Sequence, residues 1–114
     1  MSTSIRLATD WFGFCGQLQP DDLQAVAQQG FCSVINNRPD GERGDQPTAA
    51  DIGAAAQSAG LTYVHFPIES GAPILEENIL EMKRLVEILP KPILAFCFSG
   101  ARSNYIFQLA LAPA

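Results

Sequence analysis

A cysteine, a glycine, an arginine and a serine share seven consecutive positions, Cys97-Phe98-Ser99-Gly100-Ala101-Arg102-Ser103. These residue types at this spacing suit chemistry between a thiolate and an oxyanion. A small loop that turns into a helix N-terminus points its backbone N–H groups inward and forms an anion cradle. A cysteine at the head of that loop sits in a positive field, and the amide dipoles favour its thiolate. Arg102 adds a fork of donors matched to a tetrahedral oxyanion, and Ser103 brings a hydroxyl towards the sulfur. The competing reading is a buried structural cysteine beside a surface arginine. Gly, Arg and Ser at this spacing, between a strand and a helix, favour the reactive site.

The flanking residues supply that strand and helix. Ile93 to Phe96 is a short apolar run without charge, which predicts a strand buried on both faces. Asn104 to Leu111 places Ile106, Phe107, Ala110 and Leu111 on one helical face. Earlier in the chain, Ser4 to Ala8 predicts an edge strand, and Trp11 to Gly16 reads as a turn-rich passage whose aromatics cap the core. Pro20-Asp21-Asp22 starts a helix with apolar positions Leu23, Val26 and Ala27, stopped by Gly30. Phe31 to Asn36 predicts a buried strand and Asn37 to Pro47 a polar loop. Thr48 predicts an N-cap for a helix with Ile52, Ala55, Ala56 and Ala59 on one face, ended by Gly60. Leu61 to Phe66 predicts another strand. Leu75, Ile79, Met82, Val86 and Leu89 recur at helical spacing and end at Pro90 and Pro92. Alternating strands and helices imply a mainly parallel sheet of four or five strands covered on both sides. Ligands collect at the carboxyl ends of such strands, so the loops 37–47, 67–73 and 97–102 are expected to converge on Cys97.

The Cys97–Ser103 loop resembles the Cys-x-x-Gly-x-Arg-Ser/Thr loop of the beta-lactamase-hydrolase-like phosphatase domain family, which is similar in fold to small dual-specificity tyrosine phosphatases. Gly16-Gln17-Leu18, the stretch from Val34 to Glu42 and Tyr63-Val64-His65-Phe66-Pro67 are similar to that family's signatures, in the same order. The resemblance implies an α/β fold, a three-layer tyrosine-phosphatase-like sandwich, as one domain over residues 1–114. It also implies Cys97 as nucleophile, with Arg102 and the loop Phe98, Ser99, Gly100 and Ala101 holding the transferred group, and Ser103 assisting the thiolate. The acid of such phosphatases is an Asp on the loop before the long helix. This chain has Ile68-Glu69-Ser70-Gly71-Ala72 there, so Glu69 is the stand-in, with Asp40 and Glu42 the next candidates. The competing reading, favoured for Glu69, is a solvated loop acid, and for Asp40 it is Pro-Asp-Gly turn chemistry. Arg38 either adds positive potential to the pocket or pins its own loop. Phe98 at the mouth either favours a flat or apolar substrate or packs on a neighbouring loop.

Four residues separate Cys97 from Arg102, whereas tyrosine phosphatases have five. The shorter loop also resembles that of single-domain rhodaneses, which carry sulfur on cysteine. Three functions follow: phosphate monoester hydrolysis through a phosphocysteine, sulfur transfer through a persulfide on Cys97, and oxyanion binding without turnover. The substrate is accordingly a phosphate ester or a sulfane-sulfur compound, and no cofactor is expected. His65, the only histidine, reads as a packed strand residue, and one histidine with scattered cysteines makes no metal site. Cys32 reads as core, and Cys15 as a buried residue or a resolving thiol.

The net charge of −5 argues against nonspecific nucleic-acid binding, so the anion site must be local. The 47% hydrophobic content suits a folded core, yet no apolar run reaches the roughly 18 residues of a membrane span. The absence of a basic-then-apolar N-terminus and the odd cysteine count suit a reducing cytoplasm. Oligomeric state is not legible.

Overall fold

The computed structural model describes residues 4–113. Five strands, β1 (Arg6–Thr9), β2 (Phe12–Cys15), β3 (Ser33–Asn36), β4 (Thr62–His65) and β5 (Ile93–Phe96), form one sheet in the order β1-β2-β5-β3-β4. The β1–β2 pair is antiparallel and the other three pairings are parallel. A turn of 3-10 helix at Pro20–Asp22 leads into α1 (Leu23–Gln28). The longer helices are α2 (Ala49–Ser58), α3 (Glu76–Ile88) and α4 (Ala101–Leu111).

β5 occupies the middle of the sheet, and its uncharged sequence explains why. Its residues alternate between two cores: Ile93 and Ala95 face α3 and α4, whereas Leu94 and Phe96 face α1 and α2. All four are 0% exposed, the burial on both faces expected of an interior parallel strand. On the first face Met82, Leu85, Ile106 and Phe107 complete the packing, and Phe107 stacks on Phe12 at 3.7 Å between centroids. On the second, Leu23, Val26, Ile52 and Ala56 close over Val34 and Leu94. Two helical layers thus clamp one sheet and fix the carboxyl end of β5 against α4.

Three sequence expectations need correction. The Trp11–Gly16 passage is not turn throughout, because Phe12–Cys15 is a buried strand beside β5. Gly13 belongs in that strand because a Cβ there would lie 3.2 Å from Ile5 Cγ2 and 3.3 Å from the Arg6 carbonyl oxygen. Leu75 and Leu111 lie at helix ends and stand out at 53% and 47% exposure, so each helix buries a shorter face than its periodicity suggests. Cys32 precedes β3 and is exposed rather than core. The expected caps are present: Thr48 Oγ1 accepts the Asp51 N–H at 3.1 Å, and Gly30 and Gly60 follow their helices with φ of 99° and 80°.

Candidate functional site

The loop leaving β5 wraps tightly because two glycines permit it. Gly100 has φ +96°, and a Cβ there would meet the Cys15 backbone at 3.2 Å. A Cβ at Gly16 would meet the Phe98 carbonyl oxygen at 2.9 Å. The Gln17 N–H donates to that same carbonyl at 3.2 Å, and the Cys97 N–H donates to the Cys15 carbonyl at 3.4 Å. The 97–100 turn is therefore stitched to the loop that follows β2. Within it, the Gly100 N–H points at Cys97 Sγ, 3.1 Å away. The sulfur lies at the floor of the turn, in a residue 1% exposed, and receives an amide rather than only apolar contacts. Not every amide is available, because the Ala101 N–H donates to Ser99 Oγ at 3.3 Å.

Arg102, in the first turn of α4, folds back across the mouth. Its Nη1 donates to Glu42 Oε2 and to the Ile68 carbonyl, both at 2.8 Å, and its Nη2 donates to Glu42 Oε1 at 2.9 Å. Arg38 completes the cluster: its Nε donates to Glu42 Oε1 at 2.8 Å and its Nη1 to Gln17 Oε1 at 2.9 Å. Glu42 is thus gripped by two guanidinium groups. The Arg102 hydrogen bonds, with the Arg38 bond, hold its carboxyl below the usual range despite partial burial. Burial pushes the Arg102 guanidinium down, but Glu42 and the nearby Cys97 sulfur more than offset this and keep it firmly cationic. The edge carrying Nη1 and Nη2 is committed to Glu42 and Ile68, and the same guanidinium interacts with the Cys97 side chain.

Asn37 holds the loops together from below. Fully buried, it donates from Nδ2 to the Phe66 carbonyl at 2.9 Å, and its own carbonyl accepts the Ile68 N–H at 2.9 Å. Its Oδ1 accepts the Ser103 hydroxyl at 2.9 Å. Ser103 therefore commits its proton to an amide oxygen rather than to the sulfur. His65 Nε2 lies 2.8 Å from the Arg38 carbonyl oxygen and acts as the donor to it. Asn37, Gln17 and Glu42 are the supporting residues whose roles escaped the sequence reading. They belonged to stretches already marked by the resemblance, and only the fold brings them to Arg102 and Ser103.

The acid candidates separate clearly. Asp40 accepts the Ala49 N–H at 2.7 Å and so secures the start of α2. Glu69 lines a separate cavity of about 170 Å³ with Pro67, Ile68, Ala72, Pro73, Ile74 and Asn78, none of them from the cysteine loop. The residue of its loop that reaches the central cavity is Ser70. That cavity, of about 320 Å³, is walled by Arg38, Glu42, Arg43, Ser70, Phe98 and Arg102. Phe98 is 47% exposed and its ring contacts two guanidinium groups, with Arg38 at 5.1 Å and Arg43 at 4.4 Å from its centroid. Cys15 is buried beside Cys97. Burial first, then the neighbouring Cys97 and Asp22, pushes its thiol up to about 12. Among the described residues no group of three or more His, Cys, Asp or Glu is arranged to hold a metal, and no helix is long and apolar enough to cross a membrane.

Comparison with known proteins agrees with this architecture. A candidate phosphatase from Neisseria meningitidis superposes with a TM-score of 0.80 at 29% identity, covering 87% of this chain and 70% of that one. A candidate phosphatase from Shewanella putrefaciens shares the fold at a TM-score of 0.79 and 21% identity, covering 93% of this chain and 68% of that one. Protein tyrosine phosphatases share the fold as well. The beta-lactamase hydrolase-like protein of Xylella fastidiosa is 36% identical over 95 residues, 83% of this chain but only 22% of that protein's length. The chain thus spans about a fifth of the curated relatives it matches. The family described as beta-lactamase hydrolase-like protein, phosphatase-like domain, matches residues 4–114, from the edge strand through the cysteine loop to the last helix, and the chain belongs to that family.

Proposed function

We propose that this chain is a cysteine-dependent, phosphatase-type hydrolase of phosphate monoesters. The observation that carries the reading is the Gly100 amide aimed at Cys97 Sγ from 3.1 Å, with Arg102 braced across the same turn by Glu42 and the Ile68 carbonyl. In this reading the Cys97 thiolate attacks phosphorus. A P–S bond forms, the P–O bond breaks, and its electron pair leaves on the alkoxide or phenolate. The Arg102 guanidinium and the loop amides hold the phosphoryl oxygens while charge develops on them. Water then attacks the phosphocysteine, the P–S bond breaks, and the thiolate returns. Glu42 is a poor proton donor, because two arginines hold it ionised. Leaving groups that need little protonation, such as aryl oxides, are therefore the best substrates.

A second reading is supported by two observations, the four-residue loop and the separation of Glu69 from the cysteine cradle. In sulfur transfer the Cys97 thiolate attacks the sulfane sulfur of thiosulfate, the S–S bond breaks and sulfite leaves. A thiol acceptor then removes the sulfur from the persulfide. No step requires an acid at the leaving group. One paired assay separates the readings, using p-nitrophenyl phosphate on one side and thiosulfate with a thiol or cyanide acceptor on the other, each with Cys97→Ser as control. Phosphate release that disappears in the variant supports hydrolysis. Thiocyanate formation with one added sulfur on Cys97 by mass spectrometry replaces hydrolysis with sulfur transfer. Neither activity, with oxyanion binding intact, makes the cradle a binding site alone.

A further inference from the structure

Arg43 plays no part in the chemistry above, yet it shares the central cavity with Arg102. Its guanidinium lies over the ring of Phe98, 4.4 Å from the centroid. Arg38 and Arg102 are both charge-compensated by Glu42, whereas Arg43 forms no ion pair among the described residues. Asp45 lines the adjoining cavity with Arg43 and does not pair with it. The cation–π contact with Phe98 keeps the guanidinium beside the cavity, and no ion pair occupies it among the described residues. An uncompensated arginine beside an anion cradle, in a chain of net charge −5, is a local feature that the composition does not explain.

We propose that Arg43 and the ring of Phe98 form a second subsite, which takes a carboxylate carried on the same small molecule whose phosphoryl group enters the Cys97 cradle. The inference rests on the oxyanion-cradle reading of that loop and names the substrate class within it: carboxylated, preferably flat, phosphate esters. A single guanidinium presents two parallel donors that match one planar monoanion. The exposed aromatic edge supplies the flat contact beside it.

The test uses the intact chain and two ligands whose C–P bond resists hydrolysis, phenylphosphonate and 4-carboxyphenylphosphonate, titrated calorimetrically. The carboxylated ligand is expected to bind about fivefold more tightly, the worth of one partly exposed ion pair. Arg43→Ala brings that ratio to about one, and Arg43→Glu reverses it. Arg43 is exposed, so neither substitution disturbs the core. Equal binding of both ligands by the parent, or a preference that survives Arg43→Ala, overturns the subsite while leaving the cradle in place. Failure of both ligands to bind the parent removes the cradle reading and the subsite with it.

Discussion

Replacing Glu42 with Ala removes the hub of the site and tests its energetics directly. Three charge-assisted hydrogen bonds are lost, two from Arg102 and one from Arg38, at 2.8–2.9 Å. The arginines are not left equally. Arg102 keeps the Ile68 carbonyl and is 17% exposed, so water replaces much of what it loses. Arg38 is only 4% exposed and keeps Gln17 Oε1 and the Phe98 ring. Breaking a fully buried pair costs about 3–5 kcal/mol, and partial hydration of Glu42 and Arg102 reduces this to about 2 kcal/mol. With a urea m-value of about 2 kcal/mol/M for a chain this size, the unfolding midpoint falls by about 1 M. Equilibrium urea unfolding followed by circular dichroism measures the shift. Turnover of p-nitrophenyl phosphate should fall as well, because Arg102 loses the carboxylate that braces its guanidinium across the turn. A midpoint within about 0.2 M of the parent, together with unchanged turnover, would refute the claim that Glu42 organises the two arginines.

Four other outcomes follow from the same geometry. Gly100→Ala forces a side chain onto φ +96° and against the Cys15 backbone, so stability drops by about 2–3 kcal/mol and the cysteine turn is displaced, measured by urea unfolding and loss of oxyanion binding. Asp40→Ala removes the acceptor for the Ala49 N–H and costs about 1 kcal/mol by thermal or urea unfolding, the ordinary worth of such a cap. The carboxyl of Glu42 is depressed below its ordinary 4.5, so its stabilisation is complete above that pH and is lost as pH falls through the lower folded value; the stability gap between the parent and Glu42→Gln should close there. The Cys15 thiol shifts the opposite way, from 9.0 up to about 12, so folding weakens between those values by at most about 1.4 kcal/mol per pH unit, a slope that Cys15→Ala removes.

The parts of this site that were legible in the sequence are those fixed by local rules. An uncharged apolar run followed by Cys, Gly and Arg locates β5, the turn and α4, because burial on both faces and a left-handed glycine are local requirements. The long period from Ile79 to Leu89 located α3 for the same reason. β2 was not legible because Gly13 serves a neighbour rather than a turn: β1 and Phe31 approach too closely for a side chain. The partners of the cysteine loop were hidden by distance along the chain, since Glu42 meets Arg102 across 60 positions and Asn37 meets Ser103 across 66. Which side chain of Glu69 and Ser70 reaches the central cavity depends on the rotation of one loop, which no spacing rule fixes. The convergence of loops at the carboxyl ends of parallel strands followed from topology, and only the loop after β2 was omitted.

The Asn37 amide and the Glu42 carboxylate each tie separate loops into one unit. Variation at the mouth is therefore constrained to travel in company. Transplanting the segment after β3 from a relative, without the segments after β4 and β5 that it grips, would strand a guanidinium or a buried amide. Recombination between homologues should accordingly succeed when its crossovers keep these three segments from one parent, and fail when they divide them.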